Sequence, residues 1–553
     1  MRLSTLLAAA SARAADAVGD VRAAGLARDP EVTAVVQDHG RATPGALFVA
    51  RRGARFDGHA FAAAAVAGGA VAVVGDAPAE RVAGLGGVPY VRVPDAKRAL
   101  PHLAAALHGY PSERLRVVGV TGTDGKTTTS FLLAHVLGAR RETGLMSTAA
   151  VRLGGEELGL EGHFTTPEAP EVQAFLARCA ASGATHAVLE SSSHGFSQHR
   201  LDAVAYAVGV VTNVSPEHLD HHGTFAAYVD AKATLVRRAA TAVLNRDDAG
   251  LDAFAAAAGE AGARVVTYGQ SPGVDARLLR VAEPRGALEL TLDLLGERVV
   301  ARLPMVGRYN AWNAAAALAT AVLEGVPADA AAAALASFPG VPGRMQVIAT
   351  TPFTVIVDFA HTPPALAKAL AAVRRPGART LVVVGSAGER DPGKRAPLGE
   401  AAVRGADVAV LTEEDSRSED VSAILAAMAR GAEAAGGVRG ETFHLEPDRR
   451  EAIARCSRSS EIASATKRSS LSDMPLRFTQ TKPSAIAWPG WSARWFTVRV
   501  SMKRSIAGMA PWRSAAASRR DGSSMRPCSS SVRSSTSYES TPEPPLSGTM
   551  GWA

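Results

Sequence analysis

Cysteine is scarce: the 553-residue chain has three, Cys179, Cys456 and Cys528. They lie far apart and form neither a metal-ligand spacing nor a disulfide framework, which fits a reducing compartment. Aromatic residues make up only 5%, while the apolar fraction of 47% is ordinary for a globular chain. No long hydrophobic run is present. Phe61 to Gly75 is too short to cross a bilayer and is split by Gly68-Gly69. Met1 to Asp16 superficially resembles a leader peptide, but its apolar run is short and Arg13 interrupts it. A basic excess is also missing from most of the chain. Of 60 Lys/Arg and 53 Asp/Glu, 14 and 5 lie in residues 456–553, so residues 1–455 carry 46 and 48, a balance of −2. The net charge of +7 therefore belongs to the tail, and no basic stripe marks the body as a nucleic-acid binder.

The chain is long enough for three or four domains. Residues 1–110 alternate apolar strands (Gly45–Ala50, Ala70–Val74, Tyr90–Val93) with helices (Ala60–Ala67, Ala96–His108), as in a small α/β domain. Residues 111–343 continue the alternation, as a mostly parallel sheet requires, with buried-type strands at Thr185–Glu190 and Ala207–Val211. Leu288, Leu290, Leu292 and Leu294 mark an antiparallel excursion within residues 275–303. Residues 344–455 form a third α/β unit, with strands at Phe353–Asp358, Thr380–Gly385 and Ala406–Thr412. From Cys456 the composition changes: roughly a quarter of the residues are Ser, five of the six Trp appear and no His remains. Residues 456–553 read as a disordered basic tail or as a segment translated out of frame. The abrupt break inside a helical run at Asp448–Arg455 favours the second.

Leu115 to Val120 reads as a buried strand, followed by a Gly-rich turn and a helix opening at Lys126. Gly122, Thr123, Asp124 and Gly125 would curl backbone N–H groups around phosphate oxygens at a helix N-terminus. Lys126 would reach the β/γ-phosphates, Thr127 would meet Mg²⁺, and Thr128 completes the motif. Val120 stands where the usual phosphate loop has its first Gly, with Gly119 and Gly122 flanking it. Glu190, ending a buried strand, is placed to hold Mg²⁺. The following Ser191 to Arg200 turn offers hydroxyls and an anion clamp; a Ser/His nucleophile there lacks a visible orienting carboxylate. His218, Asp220, His221 and His222 suggest zinc at first sight. Adjacent residues point in different directions, however, so one His serving the Mg²⁺–nucleotide site, with the others on the surface, is expected. Lys232, on a helix close behind, reads by itself as a solvated lysine.

Together these segments resemble the Mur ligases, the ATP-dependent amide-forming family of peptidoglycan synthesis and cell-wall biogenesis. The resemblance is carried by Gly122-Thr-Asp-Gly-Lys-Thr-Thr128, Glu190-Ser-Ser-Ser-His194, Asn213 to His222, Gly307-Arg-Tyr-Asn-Ala-Trp-Asn313, Pro342-Gly-Arg344 and Asp358-Phe-Ala-His-Thr-Pro363. Thr165-Thr-Pro-Glu168, Gln198-His-Arg200, Gly388-Glu-Arg-Asp391 and Glu414-Asp-Ser-Arg417 point to the branch that adds a diamino acid. The resemblance implies an α/β fold with three domains: an N-terminal UDP-binding domain, a central P-loop ATPase domain and a C-terminal Rossmann-like domain, here incomplete. It implies a cytoplasmic monomer using ATP and Mg²⁺, with UDP-MurNAc-L-Ala-D-Glu and a diamino acid as partners. The dipeptide carboxylate would attack the γ-phosphate, and the amine would attack the resulting acyl phosphate. Lys126, His218 and Lys232 would be catalytic; Thr127, Glu190, His218 and a carbamylated Lys232 would serve metal. Asn310, Arg344, Asp358 and His361 would join the ATP site, and Thr165, Thr166, Ser192, Gln198 and Arg200 would hold the UDP-muramyl peptide. Arg390, Glu414, Asp415, Ser416 and Arg417 would read the diamino acid.

Four departures from the family pattern follow. Asp124 replaces an Asn in the phosphate loop, and the N-terminal Asp-Ser-Arg motif appears as Asp38-His-Gly-Arg41. Asp-Asn-Pro-Arg appears as Glu414-Asp-Ser-Arg417, where Arg417 favours diaminopimelate and Asp415 favours a terminal amine, as in lysine or ornithine. Nothing after Arg455 resembles the family's Gly-Lys-Gly-His-Glu segment, so the third domain is expected to lack closing strands and the chain to be weakly active or inactive. Folylpolyglutamate synthetase, which shares the ATPase core, is the alternative enzyme. A disrupted relic or a basic-tailed binding protein is the non-enzymatic one.

Overall fold

The computed structural model describes residues 1–20, 26, 28–53, 56–159, 165–284, 286–350 and 353–456, and the backbone of 497–503. Among the described residues, the unit Met1–Arg504 is organised on three sheets, of four, eleven and six strands.

Four parallel strands, Ala34–Val36, Ala46–Ala50, Ala70–Gly75 and Tyr90–Arg92, form the first sheet in that order. Ala46–Ala50 is buried at every position, the pattern of a strand covered on both faces. The leader-like start is a core helix, Leu3–Ser11, whose Leu3, Leu6, Leu7 and Ala10 are buried against residues of the helix Ala96–Leu107.

The central sheet has eleven strands. Arg116–Thr121 lies between Tyr206–Val211 and His186–Glu190 and runs parallel to both. The loops that leave these three strands therefore meet at one end of the sheet, where ligands bind in open α/β folds. The antiparallel excursion consists of Ala276–Ala282, Leu288–Leu294 and Glu297–Leu303, with Leu288, Leu290, Leu292 and Leu294 all buried.

The third sheet has six strands in the order Gln346–Ala349, Thr354–Asp358, Thr497–Lys503, Ala378–Ser386, Val408–Glu413 and Phe443–Glu446. This corrects the expectation that nothing beyond Arg455 closes the sheet. Thr497–Lys503 pairs antiparallel with both neighbours, Val500 standing opposite Val355 and Leu381. Thr497-Val-Arg-Val-Ser-Met-Lys503 alternates with period two, and its insertion occupies backbone groups that would otherwise be open edges. The body also extends past Arg455: residues 449–456 are helical, and Cys456 is buried with Leu381, Val383, Val408 and Val410. The rest of the expected tail, 457–496 and 504–553, lies outside the described residues.

Candidate active site

The phosphate-loop geometry is dictated by two glycines. Gly122 has φ +145°, and a Cβ there would lie 1.9 Å from Thr212 Oγ1. At Gly125, φ +84°, a Cβ would lie 2.4 Å from Asn313 Oδ1. The loop is fastened to the end of the adjacent strand: Thr123 N and Asp124 N donate to Asn213 O and Asn213 Oδ1, each at 2.9 Å. Thr212 Oγ1 donates to Asp124 O at 2.6 Å, while the Asp124 side chain is exposed. The helix Lys126–Gly138 starts directly behind, leaving its first N–H groups facing the turn.

Two lysines converge on this loop. Lys126 Nζ donates to Gly122 O (3.0 Å) and Thr123 O (2.8 Å), and Lys232 Nζ donates to Gly122 O at 2.6 Å. Lys232 is 1% exposed and lies 4.4 Å from the Tyr228 ring centroid. Burial, and then the charge of Lys126, push its pKa well below that of a free lysine, which corrects the reading of a solvated side chain. Thr127 Oγ1 donates to Glu190 Oε1 at 3.0 Å and accepts from Arg344 Nη2 at 3.3 Å, while Thr148 N donates to Glu190 Oε2 at 2.8 Å. A hydroxyl and a carboxylate thus face each other beside the loop, an oxygen donor pair that suits Mg²⁺.

His218 adopts φ +55° and is 42% exposed on its side chain, with its ring 4.7 Å from His194. Among the described residues, no three His, Cys, Asp or Glu side chains are grouped to hold an ion. His218 and His221 are exposed and His222 half-buried, as expected of surface histidines, but they are grouped rather than separate. His194 stacks on His221 at 4.2 Å, and His221 lies 4.7 Å from His222. The reason is that Leu219–His222 is one helical turn that brings both rings back over the loop after Glu190. His221 Nε2 and His222 Nε2 lie 2.9 and 3.1 Å from Ser197 Oγ and Ser193 Oγ. Burial first, then the other histidines, hold His194 at about 3 and His222 at about 4, so both are neutral at pH 7.

The third sheet supplies the opposite wall. Asp358 is occupied by backbone, its Oδ2 accepting from Met345 N (2.8 Å) and Oδ1 from Ala360 N (2.9 Å). That fixes Arg344, whose guanidinium lies 4.1 Å from the Phe359 centroid. His361 is held at about 3, chiefly by burial. Asn310 is turned into its own helix: Nδ2 donates to Val306 O and Oδ1 accepts from Asn313 Nδ2, each at 2.9 Å. Asn313, which presses on Gly125, was missed by the sequence reading although it ends one of the quoted motifs. Tyr228, one turn before Lys232, was also missed; its i, i+4 spacing was the available signal.

On the far side, Thr166 Oγ1 donates to Glu190 O at 2.9 Å and lies 3.0 Å from Ser192 Oγ. Arg200 donates to Thr166 O (2.7 Å) and Gln198 Oε1 (2.6 Å) and pairs with Glu168 at 2.9 Å. These groups, Thr165, and those of the phosphate loop line one cleft of about 3410 Å³, which also reaches Asp358, His361 and Arg390. Glu414, Asp415, Ser416 and Arg417 are not part of that lining. Glu414 is pushed up to about 7 by burial, opposed by Lys394 and Arg449, and Arg417 Nε lies 3.7 Å from Asp415.

Residues 40–108 match the Mur ligase family catalytic domain, 120–321 the Mur ligase middle domain, and 343–462 the Mur ligase glutamate ligase domain. A Deinococcus radiodurans protein named UDP-N-acetylmuramyl-tripeptide synthetase is 48% identical over 432 residues, covering 77% of this chain and 86% of the relative. The chain belongs to the Mur ligase family. A Roseiflexus relative of the same name is 45% identical, again over 77% and 86%. Among solved structures, this Mur ligase is similar to a UDP-N-acetylmuramoyl-L-alanyl-D-glutamate–2,6-diaminopimelate ligase, with TM-score 0.56, 31% identity, and 77% and 86% of the two chains covered. Mur ligases are ATP-dependent and form amide bonds, as the resemblance implied. No helix among the described residues is long and apolar enough to cross a membrane.

Proposed function

We propose that this Mur ligase adds a diamino acid to UDP-MurNAc-L-Ala-D-Glu in the cytoplasm, as a monomer, using ATP. The observation that carries the reading is the convergence of the phosphate loop, Glu190, Lys232 and Arg200 on one cleft whose other wall carries Arg344, His361 and Arg390. Lys126 and the loop amides bind the phosphates, which needs Lys126 Nζ to exchange its two loop carbonyls for phosphate oxygens. Thr127, Glu190 and His218 would hold Mg²⁺, which when bound would supply positive charge beside the transferring phosphoryl group. Burial lowers the Lys232 pKa and so favours the neutral amine that reacts with CO₂; as a carbamate, Lys232 would give the metal site a second anion.

Thr165, Thr166, Ser192, Gln198 and Arg200 hold the muramyl dipeptide so that its terminal carboxylate meets the γ-phosphate. Asn310, Asp358 and His361 serve the adenine-nucleotide side. Arg390, Glu414, Asp415, Ser416 and Arg417 receive the diamino acid, whose amine attacks the acyl phosphate and expels inorganic phosphate. No counterpart of the Gly-Lys-Gly-His-Glu segment follows Arg455, so amide formation is expected to be weak. The test is ADP release by the full chain given UDP-MurNAc-L-Ala-D-Glu and ATP, with and without diaminopimelate, lysine or ornithine. Muramyl-dipeptide-dependent ADP and an amide product are expected; release that responds only to a folate would sink the reading.

A further inference from the structure

Resting on the assignment of Arg200 to the muramyl peptide, a group of ion pairs on the cleft wall has a role beyond that assignment. Glu168 immediately precedes the helix Ala169–Ala181, and Glu171 lies in its first turn, where the helix N-terminus favours carboxylates. The two oxygens of Glu168 serve different parts of the molecule. Oε1 lies 2.9 Å from Arg200 Nη2 in the central unit, and Oε2 lies 3.4 Å from Arg51 Nη2, just past the strand Ala46–Ala50 of the first sheet. Arg200 is only 7% exposed and already bonded to Thr166 O and Gln198 Oε1. Glu168 thus supplies the carboxylate that compensates its buried charge. One turn along, Arg41 Nη1 lies 2.7 Å from Glu171 Oε1, a second link between the same two sheets.

We propose that Glu168 is a positioning residue that couples the first-sheet half of the UDP-muramyl-peptide site to the half containing Arg200. With Arg51 in place, Glu168 is held on its Oε2 and presents Oε1 to Arg200, so the guanidinium meets the peptide in a fixed orientation. Loss of either partner frees Glu168 to follow the other, and the two halves of the ligand lose a common frame.

The test is calorimetric titration of UDP-MurNAc-L-Ala-D-Glu into the full-length chain carrying Glu168→Gln, Arg51→Gln or both, with ATP titrated in parallel. Each single change is expected to weaken muramyl-dipeptide binding by about tenfold while leaving ATP binding within about twofold. The double variant is expected to bind no more weakly than the weaker single one. Thermal melting within about 2 °C of wild type excludes a folding defect. Wild-type affinity in Glu168→Gln, additive losses in the double variant, or an equal loss for ATP would each overturn the coupling. Wild-type chain that binds the muramyl dipeptide but forms no amide would defeat the proposed reaction and leave the coupling standing. No binding by the wild-type chain would overturn both.

Discussion

Glu324→Gln removes a charge from the end of the central sheet opposite the phosphate loop. Glu324 follows the helix Asn310–Leu323, is 7% exposed and accepts bonds from Arg116 Nε and Nη2, both at 2.7 Å. Buried His186 Nε2 lies 3.3 Å from its Oε2. Burial by itself would raise the carboxyl pKa, but Arg116 and His186 outweigh it and hold Glu324 at about 2. Against an unfolded value of about 4.3, linkage gives on the order of 3 kcal/mol; with Arg116 57% exposed, screening reduces this to roughly 2 kcal/mol. Because the folded value lies below the unfolded one, the stabilisation is complete above about pH 5 and is lost as pH falls through about 4 towards 2. Thermal unfolding at pH 7 should place Glu324→Gln about 4–8 °C below wild type, with the gap closing as the buffer is taken to pH 3. A gap that stays constant with pH, or a Gln variant as stable as wild type at pH 7, would refute the reasoning. The anchor matters for function because the same helix presents Asn313 to Gly125 at its other end.

Three further outcomes are expected. Gly122→Ala, which puts a Cβ 1.9 Å from Thr212 Oγ1 at φ +145°, should raise the Kd for ATP at least about tenfold by equilibrium titration. Lys232→Ala should lower kcat by about a hundredfold or more with little change in affinity for the muramyl dipeptide, and CO₂-free buffer should depress wild-type turnover only. Glu414, titrating at about 7, is a neutral acid below that pH and a carboxylate above it; KM for the diamino acid should therefore fall from pH 6 to pH 8, and Glu414→Gln should flatten the profile.

The phosphate loop was legible because its chemistry is local: a buried strand, two obligatory glycines and a helix start follow one another within a few residues. Leu288 to Leu294 was legible for a similar reason, since strand period alone separates its two faces. What the sequence did not disclose depends on elements distant in the chain. Lys232 reads as solvated until the fold buries it beneath Gly122. His194 and His221 become neighbours only because the strands leading to them flank Arg116–Thr121 and finish at the same end of the sheet. Glu168 was visible as part of a motif, but its position between Arg51 and Arg200 depends on how two sheets meet. Thr497–Lys503 was overlooked because its alternation is embedded in Ser-rich text, and its partners lie more than a hundred residues upstream.

The central claim is that the cleft activates a carboxylate by phosphoryl transfer before an amine attacks it. The most direct test uses UDP-MurNAc-L-Ala-D-Glu with ¹⁸O in the reacting carboxylate, ATP, Mg²⁺ and a diamino acid, followed by mass analysis of the phosphate released. The oxygen that attacks phosphorus leaves with it, so one ¹⁸O per phosphate is expected, and none should be released by the Lys126→Met variant. Amide product accompanied by unlabelled phosphate would contradict the account.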